Sequence, residues 1–307
     1  MNFGRTYQRL GIGLVATLLA SCAPSYSPTS QVAPVATVQQ PSAKSVELSA
    51  YYAAIQSDMR MRGLLLQDDF NANTSVSPRI LARNFEEIAL FDEYRAAPTG
   101  FVHRRTPSQL RRWDKPVRMT VEFGSSVPMD VRQADSQFLT NYAQRLSQVA
   151  DHPISVTATQ PNYLVLIVGE DDKAAVSDRV REFVPNVSPL AIDALENLPR
   201  SMLCLVYAFP DAAGELAYGK AVAVIRAEHP TLLRRSCIHE EVAQGLGLAN
   251  DSPRARPSIF NDDEEFGILT QQDEMLLKIL YDRRLSVGMT ADQARPIVQT
   301  IASELAG

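Results

Sequence analysis

The run Cys237-Ile-His-Glu-Glu-Val-Ala-Gln-Gly-Leu-Gly-Leu-Ala-Asn-Asp251 constrains the fold more than any other stretch, because it reads as a helix with a fixed end. The helical period spans Thr231 to Leu246, and Gly247 supplies the turn that stops it. Helical spacing puts Glu240 and Gln244 on one face, with Glu241 about 100° around, and lets Asn250 fold back after Gly247. Carboxylates and amides are therefore gathered at one helix end.

Ahead of this helix the chain alternates between strand and helix patterns. Val117 to Phe123, Ile154 to Thr159, Tyr163 to Val168, Met202 to Phe209 and Tyr218 to Ala227 read as strands. Asp130 to Val149, Lys173 to Phe183 and Pro189 to Leu198 read as helices. Pro210-Asp-Ala-Ala-Gly214 joins the last two strands as a hairpin. Two further helices, Val46 to Gln67 and Ser77 to Tyr94, are expected to cover this body, with Ser77-Pro78 as cap and first helical residue. The fold class is α+β: a mixed sheet carrying the motif helix, plus an N-terminal helical cover.

The N-terminus predicts export. Arg5 and Arg9 precede an apolar run from Leu10 to Ala20, too short for the roughly 20 residues that a membrane span needs. Leu19-Ala20-Ser21-Cys22 resembles a bacterial lipobox, which implies acylation of Cys22 and removal of residues 1–21. With Ala23 next, the resemblance implies anchoring to the outer membrane of a Gram-negative cell, facing the periplasm. Residues 22–43, rich in Ser, Pro, Gln, Val and Ala, read as a flexible tether. Residues 44–100 then form the helical segment, and residues 101–307 the main domain.

Export makes the two remaining cysteines readable, since disulfides persist in oxidising compartments. Cys204 and Cys237 are expected to join the strand at Met202 to Phe209 to the motif helix. A formal charge of −5 gives no basic footprint for a nucleic-acid partner. One basic stretch, His103 to Arg118, reads as a solvated loop, with an anionic lipid surface as the alternative.

The motif resembles the active-site helix of zinc proteases of the metzincin type, with the zinc ligands replaced. Glu240 and Gln244 stand where the pattern has His, Asn250 falls at the third His, and Glu241 keeps the general-base position. Gly247 takes the turn glycine. Pro257-Ser-Ile-Phe-Asn261 resembles the turn that passes beneath the metal, with Phe260 in place of Met, and Leu269-Thr-Gln-Gln-Asp273 resembles the start of the closing helix. Thr270 is its expected N-cap and Asp273 the reciprocal partner.

Over roughly residues 100 to 290 the chain also resembles the proteobacterial exported proteins of domain-of-unknown-function family 2927. Cys204, the motif run, Pro257 to Asp262, Leu269-Thr270 with Asp273, and Leu285 with Gly288-Met289 carry that likeness. It implies no activity, substrate or ligand.

No resident cofactor is expected. Zinc favours nitrogen and sulfur ligands, which the altered motif lacks. Calcium accepts oxygens, and Asp251, Asp262 and Asp263 add charge, but no regular calcium-loop spacing is present. His239 reads as a capping or partly exposed group at the helix, and His103, His152 and His229 lie in apparent loops as possible remote ligands. No nucleophile elbow occurs. Glu241 is favoured as a buried acid bonded to strand backbone.

Two functions follow. The preferred one is a noncatalytic, zincin-like lipoprotein whose cleft, lined by Glu240, Gln244, Gly247, Asn250, Asp251 and Phe260, binds a peptide, a wall fragment or a periplasmic protein. The alternative is a metal-dependent peptidase with atypical ligands and Glu241 as general base.

Overall fold

The computed structural model describes residues 40–67, 76–97, 100–212 and 214–307. The signal and most of the tether, Cys22 included, lie outside the described residues. No described helix is long and apolar enough to cross a membrane.

The body is a mixed α/β arrangement around a five-stranded sheet. Its strands are β3 (Val117–Phe123), β4 (Ile154–Val156), β5 (Tyr163–Val168), β6 (Cys204–Pro210) and β7 (Tyr218–Arg226), ordered β4-β3-β5-β7-β6. Only β6 runs antiparallel to its neighbour, because the short hairpin after Pro210 returns the chain directly. The other pairs are parallel and are joined through helices.

The central strand shows why the sheet sits inside. Every residue of β5 but the last is buried, and its side chains divide between two apolar layers as strand alternation requires. Val165 and Ile167 join the main core, with α3 (Met129–Ala150), α6 (Thr231–Gln244) and α7 (Gln271–Tyr281). Leu164 and Leu166 face the opposite layer, where α4 (Val176–Phe183) and α5 (Pro189–Glu196) supply Val180, Phe183, Ile192 and Leu195. A short 3-10 turn, Glu170–Ala175, leads into α4, where a single helix from Lys173 is expected.

The N-terminal segment departs from its expected form. Helix α1 (Ala43–Met61) and helix α2 (Pro78–Ala89) are both shorter than their apolar periods suggest. After α2 the chain turns into a hairpin of β1 (Phe91–Ala97) and β2 (Gly100–Pro107). Phe91 thus starts a strand instead of extending the helical stripe of Ile80, Phe85 and Ile88. Helix α1 covers the start of α6: Tyr52 is fully buried with its ring 4.4 Å from that of His229, and Gln56 Oε1 accepts from the Leu233 N–H. Helix α2 packs against α7 and against the terminal helix α8 (Ala291–Ala306).

The caps follow the sequence. The Ser77 side chain accepts from the Ile80 N–H, and Thr270 and Asp273 form a reciprocal capping box. The Cys204–Cys237 disulfide is present and links β6 to α6.

The basic stretch is not a free loop, since it begins in β2 and most of its cations have partners. Arg105 pairs with Glu87, Arg111 with Asp92 and Lys115 with Asp211, while Arg112 donates to the carbonyls of Leu280, Asp282 and Leu285. Guanidinium groups carry five donors in a fixed fork, and this stretch uses them to tie loops together.

Candidate functional site

The motif helix α6 ends inside the protein, so its last carbonyls need partners. Aromatic donors provide them. The Tyr163 hydroxyl donates to the Glu241 carbonyl at 2.7 Å, the Trp113 indole to Gly245 at 2.8 Å and the Tyr281 hydroxyl to Leu246 at 3.0 Å. These contacts account for the glycines. A Cβ on Gly245 would lie 2.1 Å from the Tyr163 hydroxyl oxygen, and one on Gly247 would lie 2.4 Å from the Arg111 carbonyl oxygen. Gly247 also has φ +127°, which only glycine adopts easily.

Between this helix end and β6 lies a cleft of about 480 Å³. Helix α6 gives it Glu240, Glu241 and Gln244, its C-cap gives Gly245, and the loop beyond gives Asp251 and Glu264. The β1 strand contributes Asp92 and Glu93, and α5 contributes Leu190, Asp193 and Ala194. Seven carboxylates and one guanidinium, that of Arg111, line it. Arg111 is held by Asp92. Apolar lining comes mostly from β6 and its approach, Met202 to Ala208.

This crowding of acids sets their protonation. Burial raises Glu240 well above the usual carboxylate range, and the charges of Glu264, Asp251, Glu241 and Glu93 add to it. Glu241 is raised in the same way, first by burial and then by Asp251 and Glu93, against a hydrogen bond from the Val206 N–H that favours its charged form. Asp251 is raised by burial and by Glu93 and Asp262, opposed by the Gln244 amide that donates to it at 2.9 Å. Burial, with Asp263 and Asp262, pushes Glu264 up to about 7.

Glu241 is buried and lies beside the strand backbone at Val206. Glu240 and Glu241, although adjacent, bring carboxylate oxygens within 4.8 Å of each other beside Cys204 Sγ. Gly247, Asn250 and Phe260 are not among the cleft-lining residues. Asn250 ties the turn to α2, donating to the Glu87 carbonyl at 2.7 Å, and Phe260 is wholly buried in the main core.

His239 is neither a cap nor partly exposed. It sits in the interior of α6 beside Phe138 and Tyr142, accepts the Leu269 N–H on Nδ1, and is lowered by burial to about 3. His229 lies against Tyr52 and the disulfide, and His152 contacts the Lys115 carbonyl. Among the described residues no histidine lines the cleft.

The residues present do not fit zinc. Glu240, Glu241 and Cys204 are the cluster with ligand-capable atoms in mutual reach among the described residues, and the Cys204 sulfur is already spent in the disulfide. Two carboxylates remain where a tight nitrogen or sulfur set is required.

Glu93, Glu264 and Arg111 were not singled out as site residues from the sequence. The acidic run Asp262-Asp263-Glu264-Glu265 was the available signal for Glu264. Nothing local marks Glu93 or Arg111, which arrive through the β1–β2 hairpin and the loop after it.

No curated protein and no solved structure matches the chain. The family profile described as protein of unknown function (DUF2927) matches residues 78–300, a span that runs from α2 into α8 and takes in the whole sheet and the cleft; the chain belongs to that family.

Proposed function

We propose that this protein is an exported, lipid-anchored binding protein that holds an extended peptide segment of a periplasmic partner in its cleft without cutting it. The carrying observation is the outer edge of β6. No strand pairs with that edge among the described residues, and it faces the cleft. The Val206 N–H lies on the Glu241 side, where it favours the charged form of that carboxylate, so by antiparallel alternation the backbone groups of Cys204 and Ala208 also turn outward. An extended segment adds to such an edge through main-chain hydrogen bonds and takes its selectivity from the side-chain pockets beside it.

The chemistry of the floor favours holding over hydrolysis. A general base must be free to take a proton from water, whereas Glu241 is buried and raised by its surroundings, so its carboxyl resists the charged form that a base needs. A zincin-like scaffold whose imidazole positions read Glu240, Gln244 and Asn250 accounts for the helix, the glycine turn and the cleft together. The lipobox at Cys22 supports anchoring at the outer membrane.

The test uses the full-length lipoprotein in detergent, purified without chelator and incubated with a mixed pool of extended peptides. Mass spectrometry of retained and released peptides is expected to show capture without cleavage. Ala208→Pro removes an outward N–H and leaves the β7 ladder intact, so it should abolish capture without lowering the melting temperature. Stoichiometric bound zinc together with cleavage that Glu241→Gln eliminates would overturn the reading.

A further inference from the structure

We infer that the Cys204–Cys237 disulfide is a reactive one: it exchanges with a pair of cysteine thiols on a peptide or protein segment that enters the cleft, Cys204 being attacked and Cys237 expelled toward His229. This goes beyond the holding of an extended segment, since it requires only that the cleft admit a thiol. The first support is placement. Cys204 lines the cleft, whereas its partner Cys237 does not and is 1 % exposed. An entering thiolate therefore meets Cys204 first.

The second support is a buried imidazole whose nitrogens have the disulfide as their one neighbour in hydrogen-bond reach. His229 Nδ1 lies 3.8 Å from Cys237 Sγ, and Nε2 is buried with no hydrogen-bond partner among the described residues. The residue as a whole is 2 % exposed. A disulfide sulfur only accepts, so the ring proton belongs on Nδ1 and Nε2 is left as a bare acceptor. A buried acceptor without a donor is costly, and an apolar ring would pack against Tyr52 without that cost. What the imidazole adds is an N–H aimed at the sulfur that becomes negative when the bond opens.

The charges around the two sulfurs agree with this order. Burial, followed by the charges of Arg226 and Arg234, lowers His229 to about 3, so at neutral pH the ring is uncharged and keeps its Nδ1 proton. The same two guanidinium groups favour a thiolate on the neighbouring Cys237. On the cleft side, Glu240 and Glu241 bring carboxyl oxygens within 4.8 Å of Cys204 Sγ. Burial first, and then nearby like charges, favours the protonated form of both acids, which can then return a proton to this sulfur.

The exchange runs as two displacements. The first thiolate of the segment bonds to Cys204 Sγ, the bond to Cys237 breaks, and its electron pair leaves on Cys237, where the His229 Nδ1–H donates to the new thiolate. The segment's second thiolate then attacks the segment's first sulfur. A disulfide closes in the segment, and Cys204 leaves as a thiolate that takes a proton from Glu240 or Glu241. The segment loses two electrons and two protons. The protein gains both electrons, and its sulfurs are reprotonated from the carboxyl and from water.

The experiment reduces the full-length lipoprotein in detergent with dithiothreitol at about pH 8, where thiols begin to ionise. Alkylation and mass spectrometry follow the freed cysteines at urea concentrations below the unfolding transition. The rate is expected to rise in proportion to dithiothreitol and to be unchanged by urea, as attack on the folded protein requires. A rate that climbs exponentially with urea, with the slope of global unfolding, would mean that the bond opens only in the unfolded chain and would overturn the proposal. His229→Phe keeps a ring against Tyr52 and removes the N–H, so it should slow reduction at least about tenfold. A purely structural ring would leave the rate unchanged or, by loosening the fold, raise it, and either result would overturn the role of His229. An end-blocked peptide with a single cysteine, quenched by rapid alkylation, is expected to be caught on Cys204 with Cys237 alkylated. Capture on Cys237 would overturn the order of attack. Dithiothreitol needs no docking along β6, so failure of extended peptides to bind would remove the peptide reading and leave this one standing.

Discussion

Glu241, on the last turn of α6, carries its carboxylate beside Val206 of the edge strand β6, whose backbone N–H favours the charged form of the acid against its burial. The contact joins the motif helix to the edge strand of the sheet. It holds the acid in place structurally and covers one outward group of the edge.

Replacing Glu241 with Gln keeps an acceptor for Val206 and removes an acid that its surroundings resist charging, whereas Ala leaves the Val206 N–H without a partner. The Ala variant is expected to be less stable than the Gln variant by about 1 kcal/mol, the net contribution of one hydrogen bond at the half-buried Val206. Urea denaturation of the two proteins at one pH checks this. Equal midpoints would mean that the hydrogen bond contributes nothing.

Stability should also depend on pH in a defined direction. Glu264 moves from an ordinary value of 4.5 to about 7 on folding, and Glu240, Glu241 and Asp251 are raised as well. The folded state therefore binds more protons than the unfolded chain near neutrality, and stability is lost as pH rises through the folded values. His229 and His239 act the other way: each falls from 6.5 to about 3, so their contribution is lost as pH drops below 6.5. Between about pH 8 and 6.5 the acids dominate, and the unfolding midpoint should rise as the solution is acidified. Glu264→Gln should flatten that rise, and a slope unchanged by the substitution would refute the assignment.

The disulfide closes a loop with a sequence separation of 33 and fastens the cleft strand to its floor helix. Cys204→Ser/Cys237→Ser should cost about 3 kcal/mol. Reductant should then lower the urea midpoint of the natural protein and leave that of the double variant where it is.

Arg234 and Asp135 form an ion pair, 5 % and 0 % exposed at their side chains, that binds α6 to α3. Asp135→Ala leaves a buried guanidinium with only the His229 carbonyl and should cost about 3 to 5 kcal/mol. Adding Arg234→Met should recover much of that loss, since the uncompensated charge and not the missing bond is the main penalty. Thermal melts of the single and double variants decide it.

Much of the scaffold was legible because its signals are local. The apolar alternation of β3, the unbroken apolar run of β5, the hairpin at Pro210, the Ser77 cap and the Thr270–Asp273 box each lie within a few residues of the structure they cause. The β1–β2 hairpin was hidden because Phe91 continues the stripe of α2, and the chain leaves the helix for reasons of packing that no period records. Helix α8 carries Pro296 in its interior, which obscures its pattern in the sequence.

The motif showed its own logic only in part. The sequence placed Glu240, Glu241 and Gln244 at one helix end and paired Cys204 with Cys237, since helical geometry and cysteine chemistry are properties of the chain itself. Only tertiary structure turned Asn250 away to α2, sank His239 between Phe138 and Tyr142, and brought Glu93 on β1 and Glu264 on a remote loop toward Glu240. Convergence of distant side chains depends on how layers dock, and docking is decided by the whole core at once.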